Sequence, residues 1–184
     1  MLLFLDIDGT LLPFGGPGPH PEYEPAPAPA LRWRGGVGPD CRMRVVPSEA
    51  AAHPLLARID PALGARLVTL GCELVWATTW MDDANSCVSP WLGLPELPVV
   101  DWPDDAEPPS PLHWKTRPLV DWAAGRPFIW LDDEITEADR DWVATHHREP
   151  ALLHRVQHHH GLTDADFSTL QEWLHTHRSA TTGL

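Results

Sequence analysis

Residues 2–7 read LLFLDI and run straight into DGT, so an unbroken apolar stretch is closed by two carboxylates, Asp6 and Asp8, and a turn. A strand that is apolar on both faces must be covered on both faces, which places it in the middle of a parallel sheet with helices above and below. The pattern recurs. CELVWA at 72–77, PVVD at 98–101, RPFIWLDD at 126–133 and ALLHRV at 151–156 are further short apolar runs, the one at 98–101 being the weakest. The intervals between them carry helical spacing. Leu56, Ile59, Leu63, Leu67 and Leu70 form one stripe, with Asp60-Pro61 restarting a helix and Gly71 ending it. A helix over 118–124 is led in by Lys115-Thr116-Arg117, and Thr136 with Asp139 and Thr163 with Asp166 have capping-box spacing. After the second of these, Phe167, Leu170 and Leu174 make an apolar stripe. The expectation is an α/β fold, a doubly wound parallel sheet of about five strands with helices on both faces, whose ligands bind beyond the carboxyl ends of the strands.

One stretch departs from this pattern. Residues 11–48 are rich in Pro, Gly and Ala, and within them LRWR at 31–34 and CRMRVV at 41–46 flank GGVGPD, which predicts a hairpin with Arg32 and Arg34 on one face. The rest of the chain, 1–184, reads as a single domain, with 178–184 as a C-terminal tail. At 43% apolar residues, with ten Trp, the 184-residue chain is not a disordered one. Thirteen bases against 26 acids give a net charge of −13, which argues against extended nucleic-acid binding and against an anionic membrane surface. The apolar start has no basic flank and meets Asp6, so it is expected to be neither a signal peptide nor a membrane span. Three cysteines without Cys-x-x-Cys spacing suggest no disulfide framework or zinc knuckle, and a reducing cytoplasm is expected.

Three strand ends carry residues suited to one reaction. Asp6 and Asp8 come from the first, Thr78 from the second and the pair Asp132-Asp133 from the fourth. Four carboxylates brought together repel one another and raise their pKa values unless a cation sits among them. Oxygen-only ligands select a hard ion, and Mg²⁺ is usual where a phosphate supplies further oxygens. Lys115 is the only lysine in the chain.

In this order, DIDGT at 6–10, ELVWATT at 73–79, Lys115 and FIWLDDE at 128–134 resemble the four signatures of the haloacid dehalogenase-like (HAD) hydrolase superfamily, and the short chain with LVWATTW resembles its compact subgroup linked to RNA-repair proteins. The resemblance covers roughly residues 1–175 and implies a HAD-like Rossmannoid sheet. It implies that Asp6 is the nucleophile forming an aspartyl-phosphate, that Asp8 is the general acid and then the base, that Thr78 binds a phosphoryl oxygen and that Lys115 offsets charge. It assigns Mg²⁺ to Asp6, the carbonyl of Asp8 and one acid of the 132/133 pair. Asp133 is favoured as direct ligand and Asp132 as its supporting partner, because Asp132 holds the last strand position of the family pattern. Dehalogenating members lack the second aspartate of the first signature, so Asp8 implies phosphoryl chemistry.

Several assignments stay open at this stage. Thr79 competes with Thr78, since strand ends are uncertain by a residue or more. Trp80, Trp102 and Trp114 either rim the crevice, where they can stack on a flat group, or pack in the core. Arg32 and Arg34 are candidates to receive an anionic substrate or else balance nearby acids. His158-His159-His160 reads as a solvated turn in preference to a metal site. Neither insertion is long enough for a cap domain with its own core, so an open crevice with a short flap is expected. The implied function is a Mg²⁺-dependent phosphomonoesterase acting on a small phosphorylated substrate or a phosphorylated nucleic-acid end. A non-catalytic phosphate-binding module and a phosphotransferase are the alternatives. Loss of Lys115 is expected to cost turnover while leaving the fold intact.

Overall fold

The computed structural model describes residues 1–25, 54–103 and 110–179. The predicted hairpin, with Arg32 and Arg34, lies outside the described residues, as do most of the acidic loop at 104–109 and the end of the tail.

Four parallel strands form one sheet in the order β2-β1-β3-β4. They are β1 (Leu2–Leu5), β2 (Glu73–Trp76), β3 (Phe128–Asp132) and β4 (Ala151–Arg155). The first strand sits in the middle of the sheet, pairing Leu2–Leu5 with Glu73–Trp76 on one side and with Phe128–Leu131 on the other. Its neighbours come from later in the chain on opposite sides, so the connections diverge around β1 and open a crevice beyond its carboxyl end.

Five α-helices cover the sheet: α1 (Ala62–Thr69), α2 (Ser89–Leu92), α3 (Thr116–Ala123), α4 (Glu137–His146) and α5 (Asp164–Ser179). The alternation of strand side chains separates two cores. On one face Leu3, Leu5, Trp76, Ile129 and Leu131 pack with Leu63 and Leu67 of α1, Trp91 of α2 and Phe167, Leu170 and Leu174 of α5. On the other, Leu2, Phe4, Val75, Phe128 and Trp130 pack with Leu119 and Ala123 of α3 and Val143 of α4. Each fully buried Leu or Phe of this kind is worth roughly 1.5–3 kcal/mol relative to exposure. Gly64 lets α1 approach α2 closely, for a Cβ there would fall 1.9 Å from the carbonyl oxygen of Leu92.

Local signals account for the helix ends. The Asp60 carboxylate accepts the Ala62 N–H at 2.9 Å, and Gly71, at φ 64°, terminates the following turn. Pro118 falls in the first turn of α3, where no intrahelical N–H is missed. The helix α5 runs through Ser179, and Arg178, expected in the tail, donates to the carbonyl oxygens of Leu70 and Gly71 at 2.6 and 2.8 Å.

Among the described residues the sheet has four strands, which corrects the expected count of about five. The run at 98–101 contributes only an isolated parallel bridge, Val99 opposite Trp76, with Trp76 N–H donating to the Pro98 carbonyl and Val100 N–H to the Trp76 carbonyl. Pro98 supplies no N–H, so the ladder at this edge cannot extend toward the start of the run. Residues 84–92, unassigned from sequence, form a π-helical turn leading into α2. Among the described residues, no helix is long and apolar enough to cross a membrane.

Candidate active site

The DIDGT segment turns sharply as it leaves the sheet. The Asp6 N–H still donates to the Leu131 carbonyl at 3.1 Å, whereas the Ile7 carbonyl accepts from Thr10, Leu11 and Leu12 at 2.9–3.2 Å, folding the following residues into a compact loop. Gly9 occupies this loop at φ 72°, and a Cβ at Gly9 would fall 2.3 Å from Cγ of Asp133. The glycine is thus required twice, for its backbone conformation and for the carboxylate packed against it.

Lys115 lies between two carboxylates. Its Nζ is 2.8 Å from Oδ1 of Asp6 and 2.8 Å from Oδ2 of Asp132, and all three side chains are buried. Burial works against the lysine charge, but Asp6 and Asp132 more than offset this and hold its pKa above the ordinary value. Burial also pushes the Asp6 carboxyl up to about 7; the Lys115 charge opposes the rise and Asp132 adds to it. Asp132 has both oxygens engaged. Besides the lysine, Oδ2 accepts the Trp130 indole N–H at 3.3 Å, and Oδ1 accepts the Glu134 backbone N–H at 2.9 Å. Carboxylate oxygens of Asp6, Asp132 and Asp133 all lie within 4.8 Å of one another. Asp133 is raised by burial and by the neighbouring Asp132 charge. Three crowded oxygen donors, of which Asp6 and Asp133 have proton affinity raised by burial and by the Asp132 charge, make a donor set that fits a hard divalent cation.

Beyond β2, Thr78 is fully buried and Thr79 is exposed. Oγ1 of Thr78 accepts the Trp80 N–H at 3.4 Å, and its carbonyl accepts the Trp102 indole N–H at 3.0 Å. Trp80 packs against the core on the α1 side of the sheet and Trp102 against the core on the α3 side. Trp80 and Trp102 are half-buried and Trp114 is exposed. Trp102 meets Trp114 edge-on at 4.7 Å between ring centroids, and the Trp114 ring centroid lies 5.5 Å from Lys115 Nζ.

A model of the family described as the HAD domain in Swiss Army Knife RNA repair proteins matches residues 2–167. The chain belongs to this HAD family. No curated protein and no solved structure matches it. Membership supports a hydrolase of the phosphatase kind in general, and HAD domains commonly use Mg²⁺, for which Asp6, Asp132 and Asp133 form a suitable acidic cluster.

Two features of this HAD site escape a reading of the sequence. Asp139, recognisable as the capping partner of Thr136, accepts from the Thr136 N–H and hydroxyl through Oδ2 at 2.8 and 2.6 Å. Its Oδ1 also accepts the His113 N–H at 2.8 Å and the Thr116 hydroxyl at 2.6 Å, which ties α4 to the two residues flanking the Trp114-Lys115 pair. The second feature is the Trp80 indole, which donates to Oδ2 of Asp8 at 3.0 Å across 72 residues of sequence. The three histidines 158–160 form a turn in which the His158 and His159 rings meet edge-on at 5.3 Å and the His159 and His160 rings are tilted at 4.1 Å, and the rings of Phe14 and His158 stack at 5.3 Å.

Proposed function

We propose that the protein is a Mg²⁺-dependent phosphomonoesterase that works through an aspartyl-phosphate on Asp6, and that its substrate is the phosphorylated end of a nucleotide or short nucleic acid. The observation carrying this reading is the buried bridge from Asp6 through Lys115 to Asp132, with Asp133 seated over Gly9 beside it.

In this reading an oxygen of Asp6 attacks phosphorus, the bond from phosphorus to the leaving oxygen breaks, and that oxygen departs with its electron pair and takes a proton from Asp8. Asp8, now a carboxylate, removes a proton from water; the water oxygen attacks phosphorus and Asp6 is released. Lys115 keeps its charge beside Asp6 and offsets the negative charge that builds on the transferring group. Thr78 has an oxygen that already accepts from Trp80, so its hydroxyl proton remains to donate to a phosphoryl oxygen. Asp6, the Asp8 carbonyl and Asp133 would hold Mg²⁺, while Asp132, committed to Lys115, Trp130 and Glu134, orients the site. When bound, the ion supplies Lewis-acid stabilisation of the phosphoryl oxygens and lets the acidic residues share the site.

The substrate class is supported by Trp114. Its exposed ring stands 5.5 Å from Lys115 and offers a surface beside the site on which a base can stack at roughly 1–3 kcal/mol. The net charge of −13 disfavours tracking along a backbone but not recognition of one terminal phosphate. Three cysteines without Cys-x-x-Cys spacing suit a reducing compartment such as the cytoplasm. The test is a rate comparison with Mg²⁺ between oligonucleotides phosphorylated at one end and sugar phosphates of the same leaving-group type. The reading expects the oligonucleotide to be preferred, and Trp114→Ala to remove about 10-fold or more of that preference, as loss of one stacking contact would. An unchanged preference in the variant would exclude base stacking on Trp114.

A further inference from the structure

The segment after Thr78 bends back on itself. Thr78 is anchored by the Trp102 indole, and Met81, which is not glycine, takes a left-handed conformation at φ 50°. A conformation of this kind costs about 1 kcal/mol or more and persists where its surroundings over-determine it. In this segment the Trp80 indole N–H reaches the loop after the neighbouring strand β1 and donates to Oδ2 of Asp8 at 3.0 Å. Asp8 is half-buried, so this bond is partly shielded from water.

We propose that Trp80 is a positioning residue for the proton-transfer step, holding Asp8 through Oδ2 so that its other oxygen faces the leaving group. This rests on the phosphatase reading above. In the first half-reaction the proton passes from Asp8 to the leaving oxygen as the bond from that oxygen to phosphorus breaks, and the electron pair of the O–H bond stays on Asp8. The Trp80 N–H then faces a developing carboxylate, and a hydrogen bond to an ionised acceptor is roughly twice as strong as one to a neutral group. The contact therefore tightens on the way to the transition state, which is the kind of interaction that raises kcat. In the second half-reaction the same bond holds Asp8 in place while it accepts the proton of water. A side chain that only filled the rim would have no reason to discriminate between leaving groups.

Leaving-group dependence is the readout. With Mg²⁺ present, p-nitrophenyl phosphate needs almost no protonation of its departing oxygen, whereas a simple alkyl phosphate depends on it. Trp80→Phe keeps the ring and removes the N–H. Its kcat/KM, which reports only the steps up to formation of the aspartyl-phosphate, is expected to fall about 10- to 100-fold on the alkyl phosphate, up to the lower end of a full general-acid contribution, and by no more than about threefold on p-nitrophenyl phosphate. Trp80→Gln, which restores an N–H donor, should recover part of the alkyl-phosphate rate. Adding Trp80→Phe to Asp8→Asn should cost nothing further on the alkyl phosphate. An equal fall on both substrates, or an additive fall in the double variant, would overturn the role and leave Trp80 as a packing residue. Lack of wild-type turnover on both phosphates, under conditions where the protein is folded, would remove the phosphatase reading and this role with it. Turnover in the wild type with no leaving-group selectivity in Trp80→Phe removes this role alone.

Discussion

The ammonium of Lys115 lies 2.8 Å from Oδ1 of Asp6, and the two side chains are only 4% and 8% exposed. Neither group has much water to fall back on. The availability of Asp6 as a carboxylate therefore depends on the lysine as much as on pH, because burial alone drives Asp6 upward and the lysine charge is the largest influence opposing it.

Removing the lysine tests this dependence. Lys115→Met should lower turnover by about 10²–10³-fold, as loss of one preorganised charge at a reacting centre does. Sequence alone predicts an intact fold, but the burial of Lys115 between two carboxylates changes that expectation. The variant should lose roughly 3–5 kcal/mol in a chemical denaturation at pH 8 without metal, because two buried carboxylates are left facing each other. At pH 5 the loss should be smaller, since Asp6 can then take up a proton. A denaturation midpoint identical to wild type at pH 8 would show that the buried bridge contributes nothing.

Metal binding should show a defined pH dependence. Asp6 is held near 7 and Asp133 is also raised, so the folded protein retains protons between the ordinary carboxylate range, about 3.9, and about 7. Stability of the metal-free protein should therefore fall as pH rises through that window, the folded state being the one that binds more protons. A divalent cation takes the place of those protons. Mg²⁺ at about a hundredfold excess over its Kd should raise Tm by about 5 °C or more at pH 8 and by little at pH 5. Asp133→Asn should lose most of the gain, and a gain that survives in it would move the ion elsewhere.

Gly9 supports the same cluster from below. Gly9→Ala places a methyl group 2.3 Å from Cγ of Asp133 on a backbone at φ 72°, so either the carboxylate or the loop must move. The expected result is a stability loss of about 1–3 kcal/mol together with a weakened Mg²⁺-induced Tm shift. A variant with the wild-type metal response would show that Asp133 is not held by this contact.

Asp139 gives a prediction on the acid side. Burial would raise its pKa, but hydrogen bonds from Thr116, Thr136 and His113 more than offset this and hold the carboxyl below its ordinary value. Its stabilising contribution is therefore complete above the unfolded value of about 3.9 and is lost as pH falls through the depressed folded value. Asp139→Asn should cost about 2–3 kcal/mol near pH 7 and flatten the loss of stability below pH 4, measured by denaturation at several pH values. Turnover should fall too, because His113 and Thr116 flank the Trp114-Lys115 pair. A wild-type acid limb in the variant would assign the pH dependence to other carboxylates.

What could be read from the sequence divides by how local the interaction is. The strands ending in Asp6, Thr78 and Asp132 follow from short apolar runs, and both capping boxes, Thr136 with Asp139 and Thr163 with Asp166, follow from residues three apart. The bridge at Val99 stays short of a strand where Pro98 withholds a donor, a fact present in the sequence but outweighed there by the apolar pattern. The bond from Trp80 to Asp8 and those from His113 and Thr116 to Asp139 span 72, 26 and 23 residues, distances over which neither periodicity nor propensity carries information. Asp132 and Asp133 show the same limit. Their adjacency is visible in the sequence, but only the structure commits Asp132 to Lys115, Trp130 and Glu134 and seats Asp133 over Gly9.

The central claim is that Asp6 carries the phosphoryl group. It is tested most directly by acid-quenching a single turnover of a radiophosphorus-labelled phosphomonoester with Mg²⁺ and mapping the label on the denatured chain. The account predicts alkali-labile label on the peptide containing Asp6 in wild type, and neither label nor phosphate release in Asp6→Asn. Phosphate release that persists in Asp6→Asn, or label on another residue, would contradict it.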